Sequence, residues 1–103
     1  MALNLTTKKE GASITVALNG ELNNQTAPDL KDLLERSIPE TDNLCLDFEK
    51  CDFVSSAGLR VLLNTYKSLK AKKGTMKFLN IGPSFSEVLN ITGLDAVFNI
   101  KSK

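Results

Sequence analysis

Asp47-Phe48-Glu49-Lys50-Cys51-Asp52-Phe53-Val54-Ser55-Ser56-Ala57-Gly58-Leu59-Arg60-Val61-Leu62-Leu63 is the stretch that decides the fold. Leu44, Leu46 and Phe48 alternate with Cys45 and Asp47, the period of a strand with one buried face. A short polar loop, two serines and a small-residue turn follow. From about Ser56 to Lys73 the period changes. Leu59, Leu62, Leu63, Tyr66 and Leu69 recur at the spacing of one helical face. A strand feeding a helix is the unit of an α/β domain. The two hydroxyls fall where helix amide groups are unpaired and the backbone dipole is positive. That end of a helix tolerates a phosphate, so the segment reads as a phosphorylatable switch. Spacing alone accommodates a second reading, in which Ser55 or Ser56 caps the helix and contributes about 1 kcal/mol. Gly58 near a helix start costs helix propensity. Its presence fits close approach of another backbone or relief of local crowding.

Working outward, Gly74 is expected to stop the helix in a left-handed conformation. Lys70, Lys72 and Lys73 sit in its last turn, where cations offset the negative helix end. Met76 to Ile81 reads as a further strand, broken by Gly82-Pro83-Ser84. Ser84 and Glu87 form a capping box for a helix with Phe85, Val88 and Leu89 inside and Gly93 at its end. Leu94, Val97, Phe98 and Ile100 make a last apolar segment. Upstream, Leu3 and Leu5 begin one strand, Lys8-Lys9-Glu10-Gly11 is a turn, and Ile14, Val16 and Leu18 mark a second strand. So short a turn predicts an antiparallel hairpin. Glu21 to Gln25 does not read as strand. Thr26-Ala27-Pro28-Asp29 reads as a capped helix start, with Leu30, Leu33, Leu34 and Ile38 as the apolar stripe and Pro39 as the stop.

Helical crossovers between strands two and three, and three and four, require parallel, right-handed connections. The expected fold is therefore α/β: one domain over residues 1–103, with a mixed four- to five-stranded sheet. The first strand is antiparallel, the rest mainly parallel, and about four helices cover the sheet. At 103 residues the chain can bury one core without staples.

Composition removes several function classes. The net charge of +1 is no nucleic-acid footprint. No apolar stretch approaches the roughly 20 residues of a membrane span. Met1 to Glu10 lacks the apolar core of a signal peptide, which predicts a cytoplasmic protein. Cys45 reads as a small buried strand residue and Cys51 as a loop residue; their spacing fits neither a disulfide framework nor a zinc site. The chain has no histidine, which removes Ser-His-Asp and Cys-His catalysis and the commonest metal ligand. Asp47, Glu49 and Asp52 read as ordinary exposed carboxylates, so a serine nucleophile would lack its base. No cofactor and no metal are expected.

In open α/β sheets, partner sites gather beyond the carboxyl ends of the parallel strands. Gly20 to Thr26, Glu49 to Gly58, and Gly82 to Ser84 occupy that rim. Each runs into a helix N-terminus, so hydroxyls, glycines and free amides are expected to share one surface.

These residues resemble those of the STAS domain family, the anti-sigma factor antagonists. Gly20-Glu21-Leu22-Asn23 with Thr26-Ala27-Pro28-Asp29-Leu30 is similar to the family's first loop and helix. Leu46-Asp47-Phe48 with Phe53-Val54-Ser55-Ser56-Ala57-Gly58-Leu59-Arg60-Val61-Leu62 is similar to its signature. Leu89-Asn90-Ile91-Thr92-Gly93-Leu94-Asp95-Ala96-Val97-Phe98 is similar to its C-terminal segment. The resemblance implies a binding protein, not an enzyme, whose dephosphorylated form binds an anti-sigma factor serine kinase and so releases a sigma factor. It implies phosphorylation at Ser56, with Ser55 as the alternative acceptor, and a separate PP2C-type serine phosphatase that reverses it. The implied partner face comprises Gly20, Glu21, Leu22, Asn23, Asn24, Val54, Ser55, Ser56, Ala57, Gly58 and Arg60. Many members carry Asp where this chain has Asn23 and Ser55. Both differences remove negative charge beside the acceptor, which either stabilises a phosphoserine or removes an acidic contact for the kinase. The alternative function is a constitutive binding module in a signalling scaffold or transport-associated complex.

Overall fold

A computed structural model describes residues 3–98, apart from the side chain of Asp52. Ile100, expected in the last apolar segment, lies outside the described residues. The elements run β1 (Leu3–Glu10), β2 (Ser13–Leu22), α1 (Ala27–Ser37), a 3-10 turn (Ile38–Glu40), β3 (Asn43–Val54), α2 (Ser56–Ala71), β4 (Thr75–Leu79), α3 (Pro83–Thr92) and α4 (Leu94–Val97). Among the described residues they form a four-stranded sheet in the order β1-β2-β3-β4. β1 pairs antiparallel with β2 through a tight turn, where Gly11 takes a φ of 61°. β2–β3 and β3–β4 are parallel, as the helical crossovers require.

Alternation decides which face is covered. Ile14, Val16 and Leu18, Leu44, Leu46 and Phe48, and Met76 point into the core, with Phe78 packed against it. Ser13, Thr15, Ala17, Cys45, Asp47, Lys77 and Leu79 point the other way and stay partly or fully exposed. The helices pack on the apolar face. Leu30 and Leu34 of α1, Leu62 and Leu69 of α2, and Phe85 and Leu89 of α3 are buried there. Phe85 seats α3 against Phe48 at 4.8 Å between centroids, and Phe98 bridges Phe78 at 4.8 Å and Tyr66 at 5.4 Å. The α2 face is turned slightly from the expected one. Gly58, Val61, Leu62, Thr65 and Leu69 are buried, while Leu59, Leu63 and Tyr66 are half-buried at its edge.

β2 and β3 are longer than their apolar alternation indicates. β2 continues through Asn19-Gly20 to Leu22, and β3 through the polar run to Val54. The register moves from Ala17 opposite Asp47 to Asn19 opposite Lys50 and then Glu21 opposite Phe53. β3 therefore holds two residues more than β2 over this span. Such bulges break the period of two while the strands continue. Gly20 takes a φ of 131°, open to a residue without Cβ. Phe48 and Cys51 are both buried although three residues apart, so Cys51 is a core strand residue rather than a loop residue. Cys45 is half-buried on the open face.

Three predicted helix boundaries are corrected. At the end of α2, Lys73 takes the left-handed conformation at φ 64°, not Gly74. Gly74 is needed for proximity: a Cβ there would meet the Asp42 carbonyl oxygen at 2.9 Å. Lys72 donates to the carbonyls of Ile38 at 2.7 Å and Thr41 at 3.0 Å, so it neutralises the end of the 3-10 turn that follows α1. At α3, Gly82 is the N-cap and Pro83 the first helical residue, and no capping box of Ser84 and Glu87 forms. Proline's missing N–H and fixed φ suit that first position better than they suit a place before the cap. α1 likewise has no side-chain cap from Thr26.

Candidate functional site

The bulged ends of β2 and β3 create the site. Glu21 and Leu22 lie opposite Phe53 and Val54, and the Ser55 N–H then donates to the Leu22 carbonyl at 2.8 Å. The loop after β2 and the start of α2 are therefore held side by side. β4 reaches β3 only as far as Asp47 opposite Leu79. Asn80 fastens that level by donating to Asp47 Oδ1 at 2.9 Å, and the same oxygen accepts the Glu49 N–H at 3.0 Å. Asp47 is thus half-buried and engaged. The end of β4 is anchored at Asp47, seven residues before the end of β3.

At the start of α2 the two hydroxyls take different roles. Ser55 is the N-cap, extended at ψ 173°, and its Oγ accepts the Gly58 N–H at 3.2 Å. Its carbonyl accepts the Leu59 N–H at 2.9 Å. Ser56 is the first helical residue and is exposed. The N–H groups of Ser56 and Ala57 precede the helical ladder and have no place in it. Among the described residues the first turn of α2 holds no acidic side chain.

The loop from Asn23 to Thr26 is built by two side chains. Asn23 Oδ1 accepts the N–H of Gln25 at 2.9 Å and of Thr26 at 3.0 Å, an Asx turn. Thr26, buried, donates its hydroxyl to the Glu21 carbonyl at 2.7 Å and accepts the Asn23 N–H at 2.8 Å. Asn23 shapes this loop through its side-chain oxygen, an acceptor role that an aspartate oxygen would fill equally well. Thr26 reads from the sequence as a helix cap; its loop-fastening role depends on where β2 ends, which the bulges concealed. Thr26→Val keeps the shape and leaves the Asn23 N–H and Glu21 carbonyl unmatched. The expected loss is about 1–2 kcal/mol, seen as a fall in melting temperature of about 4–8 °C per kcal/mol.

The sequence-derived candidates divide by burial. Asn24, Ser56 and Arg60 are exposed, and Gly20, Glu21, Asn23, Ser55 and Ala57 are half-buried on the rim. Leu22, Val54 and Gly58 are interior and present no side-chain surface to a partner. A Cβ at Gly58 would lie 2.6 Å from Leu22 Cγ and 3.2 Å from Val54 Cγ1, so this glycine serves the packing of α2 on the strand ends. Phe53, not among those candidates, is 49% exposed beside Glu21. The bulged register that turns Val54 inward and Phe53 outward gave it no simple signal in the sequence. No group of metal-ligating side chains occurs among the described residues, and among them no helix is long and apolar enough to cross a membrane.

Comparison with known proteins agrees with this arrangement. Residues 4–103 match the family described as STAS domain. The anti-sigma-B factor antagonist of Bacillus subtilis is 27% identical over 103 residues, covering 100% of this chain and 94% of that protein. An anti-sigma factor antagonist from Mycobacterium paratuberculosis superposes with a TM-score of 0.83 at 26% identity, covering 93% of this chain and 82% of that one. The Bacillus cell fate determinant SpoIIAA, solved in its phosphorylated form, shares the fold with a TM-score of 0.73 at 21% identity over 90% of this chain and 86% of that one.

Proposed function

The chain belongs to the STAS domain family, and from that premise we propose that it is an anti-sigma factor antagonist switched by phosphorylation of Ser56. In its dephosphorylated form it binds an anti-sigma factor serine kinase in the cytoplasm and releases a sigma factor. The kinase transfers a phosphoryl group from ATP to the Ser56 hydroxyl, and a PP2C-type phosphatase removes it. The observation that carries the reading is the exposed Ser56 at the first residue of α2, beside the Glu21–Asn24 loop. Ser55 is the weaker acceptor, because its oxygen is half-buried and engaged with the Gly58 N–H. The names of the relatives support an antagonist, a binding regulator rather than an enzyme.

The mechanism is local. A phosphoryl group brings about −1.5 to −2 charges at neutral pH. In the free protein that charge stays in water and is favoured by the helix dipole. In the complex it must be desolvated against a partner surface shaped for a hydroxyl. The test is incubation of the purified protein with ATP and the anti-sigma factor kinase of the same genome, followed by peptide mass spectrometry. One phosphoryl group on Ser56 is expected, with loss of the complex. Stable binding without phosphorylation at Ser56 or Ser55 would replace this reading with the constitutive binding module.

A further inference from the structure

We propose that Arg60 is the in-chain receiver of the phosphoryl group on Ser56, so that phosphorylation withdraws an arginine from the docking rim as well as adding charge to it. The inference rests on Ser56 as the acceptor. Ser56 and Arg60 stand four residues apart on α2, one turn along the same face, and both are exposed. Side chains at this spacing start about 5–6 Å apart, and an anion N-terminal to the cation is the favoured order. The helical neighbours of Arg60 at three and four residues are Ser56, Ala57, Leu63 and Asn64, and none is a carboxylate. Three other cations of the chain are paired: Lys9 faces Glu40, Arg36 faces Asp32, and Lys72 faces Asp42 and two carbonyls, and none of the lysines lies within four residues of Ser56 on α2. Arg60 has no ion pair among the described residues. The first turn of α2 supplies no competing acid among them, and on the adjoining strands Glu21 and the exposed Glu49 are carboxylates of the rim. Of the four neighbours, Ser56 is therefore the one where modification would create an anion for Arg60.

The chemistry suits the pair. A guanidinium presents a planar fork of donors that matches two phosphate oxygens, which an ammonium does not. In the dephosphorylated protein the same fork is free for a carboxylate or carbonyl of the anti-sigma factor. A phosphoryl group at Ser56 captures it, and the partner then meets a dianion together with a missing donor.

The test uses full-length protein with phosphoserine installed at position 56 during synthesis, so neither kinase nor partner is needed. Phosphorus NMR titration at low salt reads the second ionisation of the phosphate in the wild type, Arg60→Gln and Arg60→Lys. The wild-type value is expected to be lower than that of Arg60→Gln by about 0.3–0.5 unit, in the range of an exposed helical ion pair with a doubly charged partner. Arg60→Lys should fall between them, and added salt should narrow the gap. Arg60 is exposed, so the variants should fold. Equal titrations in all three proteins would remove the role of Arg60 and leave the switch itself intact. Failure of the wild-type protein to bind any anti-sigma factor would instead remove the proposed function and leave the titration result standing.

Discussion

Ser56→Glu is expected to lose anti-sigma factor binding by about a hundredfold or more while melting within a few degrees of the wild type. Ser56 is exposed and its side chain has no hydrogen-bond partner among the described residues, so the substitution deletes no contact of the fold. A carboxylate in the first helical turn is favoured by the dipole by about 0.3–1 kcal/mol. Stability should therefore hold or rise slightly. Binding should not hold. An anion buried at a protein interface without matched cations costs several kcal/mol, and each 1.4 kcal/mol or so is a factor of ten in affinity. Ser56→Ala is the complement. It keeps the small, uncharged surface, should bind like the wild type, and cannot be switched off by the kinase. Calorimetric titration against the anti-sigma factor, beside thermal melts of all three proteins, separates the terms. Global unfolding of Ser56→Glu would refute the local-charge account, because binding would then fail for want of a folded protein.

Much of this site was legible before any coordinates, for identifiable reasons. The change from period two at Leu44, Leu46 and Phe48 to a helical period after Ser56 places a hydroxyl at a helix start without tertiary information. The crossover helices dictate parallel strands, and so bring residues near Glu21 and Ser56 to one end of the sheet. What stayed hidden depended on register. Two extra residues in β3 make Glu49-Lys50-Cys51-Asp52 look like a loop, although the strand continues and Cys51 is buried. The same bulges decide that Leu22 and Val54 face inward and Phe53 outward. Cap positions were hidden for a different reason. At α3, Pro83 and Ser84 both favour the first turn, and proline's fixed φ decides which residue opens the helix. At α2, Lys73 accepts the left-handed conformation because Gly74 must pass within contact of the Asp42 carbonyl, a tertiary constraint absent from local propensity.

Gly58→Val is expected to destabilise the domain by about 3 kcal/mol, the upper range of core overpacking. Helix propensity points the other way, since glycine is among the worst residues inside a helix, but valine recovers only a few tenths of a kcal/mol of that. Steric overlap decides the sign. The first added carbon alone would sit 2.6 Å from Leu22 Cγ and 2.9 Å from Leu22 Cδ2. Leu22 is fully buried and cannot swing into solvent. Its backbone carbonyl also holds the Ser55 N–H, so a displaced Leu22 pulls on the junction that sets the loop beside α2. The clash should be relieved by removing the side chain it meets. Leu22→Ala alone should cost about 2–5 kcal/mol through the cavity it leaves. In the double variant the valine occupies part of that cavity, and the combined loss should be at least 1 kcal/mol smaller than the sum of the two. Denaturant unfolding of the four proteins measures the coupling. Strict additivity would mean that α2 tilts away from the strand ends instead of pressing on Leu22, and Gly58→Val would then lose anti-sigma factor binding through a displaced Ser56 rather than through a weakened core.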